Sequence, residues 1–310
     1  MKPLRIGSRG SALALWQAGF VRDWLVHAHR VAVEIITIKT SGDQFQQASV
    51  AAIGLKGVFI KELEDALLDE RVDLAVHSMK DVPTEIPPGL VFPAITRRDD
   101  ARDCLLSREG RTLAQLPDGA RVGTSSLRRQ AQLLRVRPGL AAVELRGNVD
   151  TRIRKLDEGQ FEAILLAKAG VDRLGRSERI TEVLSPDVML PAVGQGALGV
   201  ETRGVDSALR EMIAGLDDGP TRAAVTAERA LLAELEGGCQ VPLGAWGRIE
   251  AGELRLDACV CSSDGKECIR DTITGSVESP DRLGRALARR LLDGGADRIL
   301  RLAGRTLGRD

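Results

Sequence analysis

The sequence has no tyrosine, and only 3% of its 310 residues are aromatic. This scarcity argues against nucleic acid as a partner, because proteins that bind single strands stack the bases on aromatic side chains. No apolar run approaches the roughly 18 residues that a membrane-spanning helix needs. Walker-type and GxGxxG glycine loops are also missing, which disfavours nucleotides as ligands.

The sequence has no net charge either, because 44 basic residues balance 44 acidic ones, so nothing global attracts nucleic acid or an anionic membrane. The five cysteines show no CxxC spacing, and we expect neither a disulfide framework nor a metal site. Cys259 and Cys261 share one face of a predicted strand and are expected to be core residues. Residues 1–6 lead into a strand without a signal-peptide core, so we expect a cytoplasmic protein.

Short apolar runs alternate with segments of helical periodicity through the first two thirds of the sequence. The predicted strands there are residues 4–7, 31–38, 72–76, 90–95, 121–123, 142–145, 163–166 and 197–201. The predicted helices there are residues 11–25, 58–69, 127–136 and 149–156. This alternation predicts doubly wound α/β folding, with ligands bound beyond the carboxyl ends of the strands.

Several domains are expected, because a single core rarely grows beyond about 250–300 residues. A charged stretch at 97–102 predicts a linker, and the Pro- and Gly-containing stretch 190–199 predicts a hinge. We expect domain 1 over residues 1–98 and 196–217, and domain 2 over 99–195. Domain 3, over 218–310, is expected to be α+β, with helices at 222–235 and 280–302 and strands at 243–249, 254–261 and 268–274.

Three predicted strand-to-helix junctions, residues 7–11, 123–129 and 146–152, combine capping residues with arginine. Ser, Thr and Asn are ordinary N-caps, so each junction alone is more often structural. The adjacent Arg128 and Arg129 differ, because the positive end of a helix dipole repels a cation by up to about 1 kcal/mol. We expect a bound carboxylate or phosphate to offset them. Residues 121–155 hold nine basic residues against two acidic ones, which favours a substrate with several carboxylates.

Asp81 follows the predicted strand 72–76, where an α/β sheet opens its cleft. It is a candidate acid or cation stabiliser, and the alternative is a turn residue paired with Lys80. His77 is either a buried, hydrogen-bonded side chain or a catalytic one. Cys239 follows two glycines that allow a bulky group to approach, although a lone cysteine is more often inert and buried.

Together these segments resemble the porphobilinogen deaminase (hydroxymethylbilane synthase) family. The resembling motifs, in the family's order, are residues 8–9, 13–17, 76–83, 123–130, 145–149, 194–201 and 237–242. The resemblance implies an α/β fold class with two domains similar to type II periplasmic binding proteins and a small α+β C-terminal domain. The departures are Leu55, where a glycine is usual in the loop 54–57, and Gly10, which follows Arg9 in place of glutamine.

The resemblance also implies a transferase of tetrapyrrole and haem biosynthesis. In that family, a dipyrromethane cofactor is joined by a thioether to the cysteine that here is Cys239. Porphobilinogen units lose ammonia, the resulting cation is attacked by the free pyrrole position of the growing chain, and water releases hydroxymethylbilane. The implied partner is this small substrate, with no nucleic acid and no membrane, and the protein is expected to be a monomer.

Site residues follow from the same resemblance. Asp81 is implied to be catalytic and to bind the cofactor. The other implied cofactor-binding residues are Cys239, Ser78, Lys80, Thr124, Ser126, Arg128, Arg129 and Arg146. The implied substrate-binding residues are Arg9, Ser11, Lys56, Phe59, Arg146 and Arg152. Two alternatives stand beside this function: a non-catalytic α/β module that binds a polyanionic solute, and a thiolate hydrolase that pairs Cys239 with His77.

Overall fold

The computed structural model describes residues 2–40, 60–235 and 241–306. Over these residues the strands are β1 Leu4–Ser8, β2 Val33–Thr37, β3 Leu74–Ser78, β4 Leu90–Ile95, β5 Asp103–Ser107, β6 Arg121–Gly123, β7 Ala141–Val143, β8 Ala163–Ala167, β9 Glu182–Val183, β10 Leu198–Arg203, β11 Leu243–Glu250, β12 Glu253–Cys261 and β13 Cys268–Gly275. The helices are α1 Ala12–His29, α2 Lys61–Leu68, α3 Leu127–Val136, α4 Val149–Asp157, α5 Lys168–Arg173, α6 Ser207–Ala214, α7 Gly219–Glu234, α8 Pro280–Asp293 and α9 Ala296–Thr306.

The chain separates into two compact units. The first comprises Met1–Arg98 and Ala197–Arg222, and the second comprises Asp99–Gly196 and Ala223–Asp310. The three-domain division expected from the sequence stays a prediction. None of the helices in the described ranges combines the length and the apolar character required to cross a membrane.

The first unit is built on a five-stranded sheet of order β2-β1-β3-β10-β4. β1 pairs in parallel with β2 and β3, whereas β10 runs antiparallel to both of its neighbours. Successive side chains of a strand point to opposite faces, so helices cover both sides. Ile6 and Leu74 pack with Val21 of α1 on one face, and Ala75 packs with Leu67 of α2 on the other.

The second unit contains a sheet of order β7-β6-β8-β5-β9, with β5 antiparallel to its neighbours. Leu165 and Leu133 of α3 lie in one core, and Ile164 and Leu156 of α4 lie in the other. The two sheets therefore share one plan, in which a single strand opposes the rest. The predicted α/β fold class with helices on both faces is confirmed, although each sheet is mixed rather than wholly parallel.

The third sheet is an antiparallel meander of order β11-β12-β13. Leu256 of β12 lies in a core with Leu231 of α7 and Leu287 of α8. The single final helix predicted for residues 280–302 is wrong, because the chain breaks it at Gly294 and Gly295. Gly295 has a φ of 96°, a left-handed conformation that favours glycine and ends the helical hydrogen bonding.

One cysteine pair forms a bond that the sequence does not indicate. Cys261 of β12 and Cys268 of β13 are register partners with Cα atoms 4.0 Å apart, and they form a disulfide. The expected burial of Cys259 and Cys261 is confirmed, but the sequence, which indicates no disulfide framework, gives no sign of this single bond. The spacing of seven residues carries no such signal, because the pairing depends on the register of two strands rather than on a local motif.

Candidate functional site

The first unit gathers several predicted site residues around one groove. A cavity of about 70 Å³ is lined by Arg9, Ser11, Gln17, Ser78 and Asp81, among others. Arg9 and Ser11 come from the junction of β1 and α1, and Ser78 ends β3. A single 3-10 turn, Met79–Asp81, then brings the exposed Asp81 to the same groove. We call these five residues the Asp81 cluster.

Hydrogen bonds explain why the hydroxyls of the Asp81 cluster are fixed. The Ser11 hydroxyl caps α1 by accepting a hydrogen bond from the Ala14 amide at 3.3 Å. The side-chain amide of the buried Gln17 donates to the Ser78 hydroxyl at 2.8 Å. The capping interpretation of Ser11 is thus confirmed, and Gln17 is a site residue that the sequence reasoning did not select. Its signals are its place in the resembling motif 13–17 and its polarity on the apolar face of α1.

A buried contact between a histidine and a carboxylate lies at the wall of this groove, which His77 also lines. Nε2 of His77 is 2.9 Å from Oε2 of Glu201, and the two side chains are 3% and 0% exposed. His77 immediately precedes Ser78, and Glu201 belongs to the antiparallel strand β10. The expected burial of His77 is confirmed, and the choice between a structural and a catalytic role stays a prediction. This pair links β3, which ends at the groove, to β10.

The buried Glu201 also influences the pKa of Glu64 on α2. Burial and then the negative charge of Glu201 raise the pKa of Glu64 from 4.5 to about 6, against the opposing influence of His77. In the pH range between these two values the folded protein binds more protons than the unfolded chain, so its stability falls as the pH rises.

The Glu64→Gln variant is therefore expected to be more stable than the parent near neutral pH, with the difference vanishing at about pH 4. Urea unfolding at about pH 4 and about pH 7.5 measures the difference. Glu34→Gln on β2 is the control, because Glu34 is exposed. A Glu64→Gln variant whose advantage does not change with pH would contradict the raised pKa.

The second unit places Arg128 and Arg129 in the first turn of α3, where both side chains are buried. Arg128 Nη1 donates to Oδ2 of Asp103 at 2.5 Å, and Arg129 Nη2 donates to Oδ1 at 2.8 Å. Asp103 is fully buried and also accepts a hydrogen bond from Gln195 Nε2 at 3.0 Å. Asp103 of the same chain thus supplies one negative partner for the two arginines, which the sequence analysis did not foresee, and the binding of a further anion stays a prediction.

The electrostatics of this triad are strong because it is buried. Burial by itself raises the pKa of Asp103, but the two guanidinium groups outweigh it and hold that pKa well below its ordinary value. Burial lowers the pKa of Arg128, against the attraction of Asp103. Two arginines and one aspartate leave the triad with a formal charge of +1. It therefore keeps an attraction for a further anion.

The other two predicted arginines of the second unit are more accessible. Arg146 and Arg152 are half-buried near the start of α4, and Arg146 Nε donates to the exposed Glu144 at 2.6 Å. Arg152 Nε donates to the carbonyl of Gly147 at 2.7 Å. Gly147 has a φ of 115°, and a Cβ there would lie 2.6 Å from Thr151, so only glycine suits this turn.

The predicted hydroxyls of this unit also have structural partners. Ser126 caps α3 by accepting a hydrogen bond from the Arg129 amide at 3.4 Å. The buried Thr124 accepts one from the Ser126 amide at 3.1 Å. The hydroxyls therefore shape the loop that starts α3. We call Thr124, Ser126, Arg128, Arg129, Arg146, Arg152 and Asp103 the arginine cluster.

The excess of basic over acidic residues in the segment 121–155 is partly neutralised in the folded protein. Acidic residues from outside that window pair with it: Asp103 with Arg128 and Arg129, Asp118 with Arg137, Glu158 with Arg154, and Glu162 with Arg121. Asp103 is the important residue that the sequence reasoning missed. Its one signal is a carboxylate at the start of an apolar strand, a place where a charge needs a partner.

Several predicted residues lie outside the described part of the chain. These are Cys239, Lys56, Phe59 and the departure at Leu55. Lys80 is half-buried in the turn that leads to Asp81. The structure thus gathers Arg9, Ser11, Ser78 and Asp81 around one groove in the first unit. In the second unit it places the predicted arginines at the starts of α3 and α4.

The solved structures that are similar to this chain include two of low sequence identity. The methionine-binding protein MetQ is 14% identical with a TM-score of 0.46, over 69% of this chain and 89% of that chain. A periplasmic substrate-binding protein of an ABC transporter from Coxiella burnetii is 15% identical with a TM-score of 0.43, over 69% of this chain and 91% of that one.

Comparison of sequences gives much closer relatives. Porphobilinogen deaminases of Syntrophotalea carbinolica and Desulforudis audaxviator are 52% and 53% identical, over 96% and 95% of this chain and 95% and 96% of their own lengths. Residues 4–211 match the dipyromethane cofactor binding domain of porphobilinogen deaminase, and residues 222–293 match its C-terminal domain. The chain therefore belongs to the porphobilinogen deaminase family.

Proposed function

We propose that this protein is a transferase that joins porphobilinogen units, with loss of ammonia, on a dipyrromethane primer attached to Cys239, and releases hydroxymethylbilane by hydrolysis. The observation that carries the proposal is the Asp81 cluster, a carboxylate beside Arg9 in one groove, within the residues that match the cofactor binding domain. A guanidinium group can bind the carboxylates of such a substrate, and a carboxylate can stabilise a cation that forms during the reaction.

The arginine cluster fits the cofactor. Dipyrromethane supplies the pyrrole position to which the first substrate unit is joined, and its acetate and propionate groups are anions. The triad of Arg128, Arg129 and Asp103 has a formal charge of +1, and Arg146 and Arg152 add two further guanidinium groups. Forked guanidinium groups bind carboxylates in bidentate geometry. We assign the cofactor carboxylates to these arginines, with Thr124, Ser126, Ser78 and Lys80 as further donors.

Asp81 has a different role, because its charge is negative. Its carboxylate accepts hydrogen bonds from pyrrole N–H groups and stabilises the cation that forms when ammonia leaves. A carboxylate about 4 Å from a cation is worth about 4 kcal/mol at an effective dielectric constant of 20. Arg9, Ser11, Lys56, Phe59, Arg146 and Arg152 are assigned to substrate. The same proposal places the protein in the cytoplasm as a monomer. It divides the chain into three domains, over residues 1–98 with 196–217, 99–195 and 218–310.

The mass of the intact purified protein tests the tether. We expect it to exceed the mass of the sequence by two deaminated porphobilinogen units, and the Cys239→Ser variant to show the mass of its sequence alone. Cys104→Ser is the matched control, because Cys104 is a buried thiol of β5 and should leave the added mass unchanged. An unmodified mass in protein that binds polyanions without turnover would favour the solute-binding alternative.

A further inference from the structure

Three cysteines meet on the third sheet, outside the clusters described above. Cys259 and Cys261 lie two residues apart on β12 and so share a face, and Cys268 is the register partner of Cys261 on β13. Their three sulfur atoms all lie within 4.8 Å of one another. In a tetrahedral zinc site with Zn–S bonds of about 2.3 Å, sulfur ligands are about 3.8 Å apart. Small side-chain rotations therefore suffice to place all three on one ion.

Two of the three cysteines are buried, Cys268 is half-buried, and their surroundings are not wholly apolar. Cys259 is 2% exposed and Cys261 is 0% exposed, in a core with Ala131 and Leu190. The Cys259 thiol donates to the side-chain oxygen of Gln132 at 3.5 Å. That oxygen also accepts a hydrogen bond from the Leu190 amide at 2.8 Å, which fixes its position. Deprotonation of Cys259 would free one lone pair of this oxygen and make it a fourth ligand.

Positive charge surrounds the cysteines as well. Burial raises the pKa of the Cys259 thiol above its ordinary value, and the guanidinium groups of Arg270, Arg128 and Arg135 act in the opposite sense. Three thiolates with one divalent cation would bear a net charge of −1, which these arginines offset. A buried cluster of thiols with an oxygen donor and compensating cations has the composition of a site for a thiophilic ion.

We infer that the reduced protein binds one thiophilic d10 cation of the Zn²⁺ class through Cys259, Cys261 and Cys268, with the Gln132 oxygen as fourth ligand. The disulfide between Cys261 and Cys268 is then the oxidised, metal-free state of the same site. A dithiol or phosphine reductant breaks the S–S bond by supplying two electrons, and two protons complete the thiols. Binding of the cation displaces the thiol protons to solvent. The bound ion joins α3, through Gln132, to β12 and β13.

Metal titration of the cofactor-loaded protein tests the inference. The protein is reduced with a phosphine, desalted without oxygen, and titrated with Zn²⁺ against a chromophoric chelator. We expect one tightly bound equivalent, a higher midpoint of thermal unfolding, and no uptake after oxidation to the disulfide. Cys259→Ser is expected to weaken binding by at least about a hundredfold, because replacing even an outer-shell partner of a metal costs about ten- to a hundredfold in affinity.

Cys104→Ser is the matched control, because burial raises the pKa of Cys104 to about 12 and it lies in a different sheet. X-ray absorption of the Zn²⁺-loaded parent protein counts sulfur ligands without any substitution, and we expect three. A count of one or none, uptake that is undiminished in Cys259→Ser, or no uptake by the reduced protein would each overturn the site.

Discussion

Replacing Asp81 with asparagine is expected to lower the turnover of porphobilinogen about a thousandfold while the fold stays intact. The side chain is exposed at the end of a 3-10 turn, so its loss removes no core packing. Asparagine keeps the shape and loses the charge, which removes about 4 kcal/mol of attraction for a cation about 4 Å away. Each 1.4 kcal/mol of lost transition-state stabilisation costs about a factor of ten in rate.

The measurement is kcat and KM on protein whose cofactor loading has been checked by intact mass. Normalising to loaded protein separates a catalytic role of Asp81 from a role in holding the cofactor. Asp69→Asn is the control, since Asp69 is an exposed aspartate of the same unit that lies outside the groove. Its Oδ2 is 3.6 Å from Nε of Arg71. Near-normal kcat in loaded Asp81→Asn protein would refute the catalytic assignment.

The local elements of the fold could largely be predicted from the sequence. Strand Leu90–Ile95, strand Arg121–Gly123 and helix Leu127–Val136 match their predicted bounds. Each is an apolar or periodic run bounded by a glycine or by a capping serine, so the signal is local. Strand Asp103–Ser107 was missed, because the charged stretch before it has the composition of a linker.

The sequence predicts the site residues whose interactions are with near neighbours in the chain. It does not predict the pairs whose members are far apart in the sequence. Ser11 and Ser126 were recognised as caps because the capping pattern spans only a few residues. Asp103, by contrast, is 25 residues from Arg128, and nothing in either segment specifies the other. The pairs His77 with Glu201 and Cys261 with Cys268 likewise depend on strand order and register, which only the assembled sheets determine.

Asp103→Asn is expected to destabilise the second unit by about 3–5 kcal/mol. Removing one partner of a buried ion pair leaves an uncompensated charge, and here the one carboxylate serves two guanidinium groups that are 5% and 7% exposed. Asparagine retains the size of the side chain, so the loss is electrostatic rather than a cavity. Urea unfolding at neutral pH measures it, with Asp118→Asn as the control, because Asp118 is 84% exposed and its pair with Arg137 is worth less than about 1 kcal/mol.

The pH dependence gives this prediction a second, independent test. The pKa of Asp103 is lower in the folded protein than in the unfolded chain, so its stabilisation is complete above about pH 4 and is lost as the pH falls further. The difference in stability between the parent and Asp103→Asn should therefore shrink in acid. A variant as stable as the parent at neutral pH would mean that Arg128 and Arg129 do not depend on Asp103. A bound anion would then have to be their partner, because two buried guanidinium groups at the start of one helix still require a negative charge nearby.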